Sequence, residues 1–159
     1  MAQVFVSYKS EDRERLRPLV EALEIEGIDV WWDARIEGGA SWRESIEQQL
    51  ESALCVVVAW SERSVGAEGR FVRDEAGRAL SRGTYLPILL DAVRLPIGFG
   101  EVQAISLVGW KGSRADSKFQ DVLTAIRSHV RNGASTGSSE GPSSRTTPGR
   151  SRTSRRRWP

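Results

Sequence analysis

The 159-residue chain is predicted to adopt an α/β fold: a parallel five-stranded sheet with helices on both faces. Three observations predict it. Short apolar runs rich in β-branched and aromatic residues alternate with stretches of helical periodicity, as strands buried on both faces alternate with the helices that cover them. Five such runs occur, and each is too short to be a helix of its own. The length is about that of one domain, and 39% hydrophobic residues suffice for its core.

The first strand is residues 3–7 (QVFVS). In the helix after it, Leu16, Leu19, Val20 and Leu23 recur at i, i+3, i+4 and i+7, with Ser10 placed as N-cap and Gly27 as the stop. Pro18 falls inside that pattern, where a proline costs about 3 kcal/mol, so a kink or a separate first turn is expected. Residues 29–32 (DVWW) are the second strand, and Ser41 is expected to cap a helix carrying Trp42, Ile46 and Leu50. The third strand, 54–60 (LCVVVAW), is the longest apolar run. A helix over 69–81 follows, with Val72, Ala76, Ala79 and Leu80 as its apolar face. Residues 85–90 (YLPILL) are the fourth strand. Residues 91–103, with two glycines, a proline and no clear period, read as loop or a poorly formed helix. A fifth strand at 106–110 (SLVGW) precedes a last helix marked by Phe119, Val122, Leu123, Ile126 and Val130.

Composition excludes several kinds of chemistry. One cysteine, Cys55, rules out an intrachain disulfide framework, and with one histidine, His129, it leaves too few soft ligands for a structural zinc site. Cys55 sits in a strand of valines and reads as an inert small hydrophobe, and His129 is far in sequence from every candidate motif. The longest apolar run is seven residues, against the roughly 20 needed to span a bilayer, and Met1 leads straight into a strand. These features read as a soluble, cytoplasmic protein. The net charge of +2 conceals an asymmetry: residues 134–159 carry six arginines and one glutamate, leaving 17 bases and 20 acids in residues 1–133. The division predicted is a folded domain over 1–132 and a disordered Ser/Gly/Arg-rich tail over 133–159, whose one large apolar side chain, Trp158, cannot offset the entropy of ordering. The tail's arginines suit contact with nucleic acid or anionic lipid, or serve only to solubilise.

In parallel α/β sheets, ligands bind beyond the carboxyl ends of the strands. The polar residues there are Tyr8, Lys9, Ser10 and Asp12 after the first strand, Asp33, Arg35 and Glu37 after the second, and Ser61, Glu62 and Arg63 after the third. Tyr8, Lys9 and Ser10 lie where a phosphate or ribose would meet the start of a helix. The Glu37-Gly38-Gly39 run lacks the P-loop pattern, although its glycines permit backbone shapes closed to other residues. Asp33 and Arg35 suit a loop-bracing pair, and Trp42, one turn before Ile46, suits the core. Taking about 100° per residue, Phe71 and Glu75 fall roughly 80–120° to one side of the buried face of their helix, at the border of core and solvent. On pattern alone, Glu75 reads as a surface carboxylate paired with Arg78 sooner than as a catalytic group.

Four segments in register resemble the TIR (Toll/interleukin-1 receptor) domain. Residues 4–12 (VFVSYKSED) resemble its opening strand and first box. Residues 29–64 resemble its second strand, long BB loop, following helix and third strand. Residues 71–80 (FVRDEAGRAL) resemble the helix bearing its W-x-x-x-E motif, with Phe71 in place of tryptophan, and residues 83–91 (GTYLPILLD) resemble the fourth strand. The resemblance covers about residues 2–130. It implies a flavodoxin-like three-layer sandwich with strand order 2-1-3-4-5. It also implies, as in many TIR domains, cleavage of NAD at the nicotinamide–ribose bond in defence or cell-death signalling. NAD would be the substrate, with no resident cofactor and no metal. Glu75 takes the catalytic position, and Lys9, Ser10 and Glu37 take nucleotide-contacting ones, beside Tyr8 and Phe71. Asp33, Arg35, Gly38, Gly39 and Trp42 fall in or next to the loop through which TIR domains self-associate, and a separate activator or sensor protein is expected. Two alternatives stand beside this reading: a non-catalytic TIR module that binds other TIR domains, and an unrelated flavodoxin-like nucleotide-processing domain.

Overall fold

The computed structural model describes residues 3–32 and 40–140. Strands β1 (Val4–Ser7), β2 (Val30–Trp31), β3 (Cys55–Trp60), β4 (Tyr85–Leu89) and β5 (Ile105–Ser106) form one sheet in the order β2-β1-β3-β4-β5. Every neighbouring pair is parallel. Both the parallel sheet read from the apolar pattern and the strand order implied by the resemblance are found. The covering helices are α1 (Arg13–Ile25), α2 (Ala40–Ser52), the short α3 (Glu62–Val65), α4 (Arg70–Arg82) and α5 (Ser117–Glu140).

Which face each helix covers follows from right-handed crossovers. From β1 the chain steps outward to β2 through α1. It then returns across β1 to β3 through α2 and continues to β4 through α4, so α2 and α4 share the face opposite α1. The strands supply the matching alternation. Val4, Val6 and Tyr8 pack with Leu16, Leu19, Val20 and Leu23 of α1 and with Phe119, Val122 and Ile126 of α5. Phe5, Val56, Val58 and Trp60 pack with Ile46 and Leu50 of α2 and with Val72, Ala76 and Ala79 of α4. Burial of each large apolar side chain contributes about 1.5–3 kcal/mol. The six residues of β3 are all buried, as a central strand covered on both faces requires.

The structure corrects several expectations at element ends. Ser10 is not the N-cap of α1: it opens a separate 3-10 turn, Ser10–Asp12, and Asp12 holds the α1 cap position. No side chain caps either start: the 3-10 turn has Lys9 at its cap position, which offers no acceptor, and the Asp12 carboxylate before α1 is drawn away to Ser61. The separate first turn thus exists, yet it ends well before Pro18, and α1 runs on through that proline. Pro18 lies on the exposed side of α1, where water can serve the carbonyl that its missing N–H would have bonded. Ser41 does not precede α2 but lies inside its first turn. Gly27, the expected stop of α1, adopts φ 88°, a left-handed conformation that glycine reaches without strain. The fifth strand is Ile105–Ser106, paired with Ile88 and Leu89, and the apolar residues after it are not strand. Gly109 turns the chain at φ 84°, Leu107 enters the α1/α5 core, and Trp110 stacks on Phe119 at 5.7 Å.

Residues 91–103 contain no helix or strand, so of the two expectations for this stretch the loop is found and the poorly formed helix is not. Phe99 anchors this stretch against Trp60 and Tyr85, with ring centroids 5.4 and 6.0 Å away, while the Trp60 indole donates to the Tyr85 hydroxyl at 3.0 Å. Helix α5 continues to Glu140, past Gly133, the expected start of the tail; residues 141–159 lie outside the described residues.

Candidate active site at the carboxyl ends of β1 and β3

In this strand order, the crevice of an open α/β sheet falls between β1 and β3, from which the chain departs to opposite faces. Ser7, the last residue of β1, lies there in register with Val58 of β3. Alternation puts Ser7 on the same face as Phe5, under α4. Glu75 of α4 meets it: the Ser7 hydroxyl donates to Oε1 of Glu75 at 2.7 Å, with both side chains buried. The helical wheel's border position for Glu75 is therefore corrected. At 7% exposure Glu75 belongs with the buried residues, because a polar strand terminus admits its carboxylate where an apolar one would exclude it. Its pairing with Arg78 is corrected too, since the Arg78 guanidinium faces Glu47 at 3.7 Å and Asp74 at 3.9 Å.

Phe71 lies one helical turn before Glu75 and is 66% exposed, an aromatic ring held in solvent beside a buried carboxylate. Lys9, extended at φ −79° and ψ 135°, continues the alternation of β1 onto the face of Ser7. Its ammonium contacts Oε1 of Glu11 at 2.9 Å, and that hydrogen bond is the main reason the Glu11 carboxyl titrates below its ordinary range. An exposed pair of this kind exchanges readily for another anion. Ser10 is exposed at the start of the 3-10 turn. Tyr8 turns to the opposite face, where its hydroxyl donates to the Trp32 carbonyl at 2.9 Å and accepts from Arg13 at 3.2 Å. The structure therefore brings Ser7, Glu75, Phe71, Lys9 and Ser10 to one end of the sheet and places Tyr8 in the core behind it. Asp33, Arg35, Glu37, Gly38 and Gly39 lie outside the described residues, as does the side chain of Trp42.

A polar cluster ties the strand ends together beside this crevice. The fully buried Asp12 carboxylate accepts from the Ser61 hydroxyl at 2.5 Å, and Arg15 and Arg63 approach it at 3.4 and 3.5 Å. Arg15 also forks onto Asp91 at 2.7 and 3.2 Å, and Asp91 accepts the Glu62 N–H at 2.9 Å. Ser61 and Ser64 form a capping box on α3. This cluster joins the chain after β1, β3 and β4 and so fixes the rim on which Lys9 and Ser10 stand. Position after a strand singled out Asp12, Ser61, Glu62 and Arg63 in the sequence; Asp91, directly after the fourth strand, carried the same signal and was passed over, and Arg15, inside a helix, carried none. Ser7 was missed as well, although a serine at an inward position of an otherwise apolar strand was a visible anomaly.

Cys55 is buried, and burial pushes its thiol far above the ordinary range, as expected of an inert residue. His129 is half-buried in α5, and burial lowers its pKa. Among the described residues there is no group of three His, Cys, Asp or Glu able to hold a metal ion, and no helix long and apolar enough to cross a membrane.

Strand order and layering define a flavodoxin-like α/β domain, and the buried carboxylate at the ends of β1 and β3 marks its candidate site. The profile of the TIR domain family matches residues 4–123, from β1 into α5, and the chain belongs to that family. Among solved structures it is similar to the TIR domain of the Toll-related receptor TRR-2 from Hydra magnipapillata, with a TM-score of 0.66 and 20% identity. That likeness covers 80% of this chain and 99% of the other, and at this identity it is one of fold. No curated protein matches this chain.

Proposed function

We propose that this TIR domain cleaves NAD at the nicotinamide–ribose bond, with Glu75 as its catalytic carboxylate. The observation that carries the reading is the burial of Glu75 at the β1/β3 crevice, fixed by Ser7 and one turn from an exposed aromatic ring. The reaction asks for little acid catalysis, since the electron pair of the C–N bond leaves with nicotinamide, which departs neutral. The need is for negative charge beside the oxocarbenium-like ribose and for acceptors to its hydroxyls, and a carboxylate in a site of low dielectric supplies both. Water captures the cation and loses a proton to give ADP-ribose, or a nucleophile within the same molecule closes a cyclic isomer.

Phe71 then offers a face to nicotinamide, and Lys9, Ser10 and Glu37 hold the nucleotide. In this reading residues 33–39 meet a second copy, so that assembly, prompted by a separate activator, completes the site. A signalling role in defence and a cytoplasmic location accompany this reading. Exposure of Phe71 at 66% and of Ile97 at 100% favours, as the second reading, a module that binds other TIR domains without catalysis. The test is initial nicotinamide release from NAD over a hundredfold range of protein concentration. Specific activity that rises with concentration supports the assembled enzyme. Flat activity refutes the assembly step, and no release at any concentration, with or without a crowding agent, leaves the binding module.

A further inference from the structure

We infer that Ser7 is a positioning residue of this site, holding the Glu75 side chain in the single orientation in which it meets the ribose; the inference rests on the NAD-cleaving reading above. The placement of Ser7 is anomalous for packing alone. Its neighbours on the same face, Phe5, Val56, Val58 and Trp60, are apolar and fully buried, and Ser7 itself has no exposed surface. A buried hydroxyl is tolerated where it has a partner, and this one is given to Oε1 of Glu75, 68 residues away in the chain.

The two ends of that bond differ in freedom. Ser7 has a single side-chain rotor on a strand paired residue for residue with β3 from Val4 to Ser7. Glu75 has three rotors and reaches down from α4 to the strand end. Ser7 is therefore the fixed post, and the longer side chain is the part that gains an orientation. An alanine at position 7 would fill the core nearly as well but remove the hydroxyl that the Oε1 end of the carboxylate is set against at the switch point. Catalysis by a preorganised charge depends on that geometry, because a carboxylate that must reorient during the reaction loses most of its effect.

The full-length chain with Ser7→Ala is compared with wild type by two readouts. The first is steady-state NAD cleavage, in which kcat is expected to fall about tenfold or more while KM stays within about twofold, with Ser7→Thr, which keeps the hydroxyl, recovering part of kcat. The second is NMR measurement of the three-bond couplings across χ1 of Glu75, expected to report one rotamer in wild type and an average in Ser7→Ala. Unchanged kcat in Ser7→Ala, or equal losses that track a lower melting temperature, would overturn the positioning role. If wild type releases no nicotinamide, the NAD reading fails by itself, and the couplings still decide whether Ser7 fixes Glu75: one rotamer retained in Ser7→Ala refutes that hold, and averaging upholds it.

Discussion

Replacing a buried glutamate differs from replacing the border residue that the helical wheel describes, for which a change within about 0.5 kcal/mol would be expected. Glu75→Ala strips the Ser7 hydroxyl of its acceptor inside the core and should cost about 1–3 kcal/mol, whereas Glu75→Gln keeps an oxygen facing Ser7 and should cost less. Urea denaturation of both variants measures the difference, and equal stabilities would contradict the buried contact. Titratable residues give a second expectation. Burial lowers the pKa of His129 below its ordinary 6.5, so the unfolded chain binds the proton first and stability is lost as pH falls through and below that value. Asp91 is lowered from 3.8, chiefly by its hydrogen bond from Arg15, so its contribution is full above that pH and disappears as pH falls through its folded value. Melting temperature should therefore slope downward from pH 7 toward 5 in wild type and less so in His129→Gln, while Asp91→Asn should flatten the slope below pH 4. Identical slopes in wild type and variants would refute both assignments. The depth of Glu75 was illegible in the sequence, because a helical wheel gives an angle about the axis and says nothing of what waits beneath.

Elements with a strong period were legible, and those shaped by contacts were not. β3 and α4 read directly from LCVVVAW and from Val72, Ala76 and Ala79. α3 has four residues, too few to show a period, and rests on the Ser61–Ser64 capping box. The fifth strand was drawn too far because Leu107 and Trp110 are apolar for packing rather than for pairing. Helix α4 supports a paired prediction on its glycines. A Cβ on Gly69, at the N-cap, would run into the backbone of Ser64, so Gly69→Ala must displace α3 or α4 and should cost about 1–3 kcal/mol. A Cβ on Gly77 would meet nothing within 4 Å, so Gly77→Ala should stabilise the helix by about 0.5–1 kcal/mol. Thermal denaturation separates them, and a destabilised Gly77→Ala or a neutral Gly69→Ala would contradict the packing described.

For the whole molecule, topology does what no single motif could. Helical and strand periods foretold a parallel sheet, but the order β2-β1-β3-β4-β5 came from family resemblance, because crossover handedness fixes faces without fixing which strand returns beside which. That order sets Ser7 and Glu75, far apart in the chain, at one crevice. Removing residues 141–159, a Ser/Gly/Arg-rich segment with Trp158 as its one large apolar side chain, should leave the melting temperature unchanged, since that composition adds almost nothing to a core. A fall of several degrees would show that it packs on the domain. The central claim, that the buried carboxylate breaks the nicotinamide–ribose bond, is tested most directly by incubating concentrated full-length chain with NAD and quantifying free nicotinamide beside folded Glu75→Gln. Steady release by wild type, with the variant at background, is the result predicted; release by Glu75→Gln at the wild-type rate would contradict it.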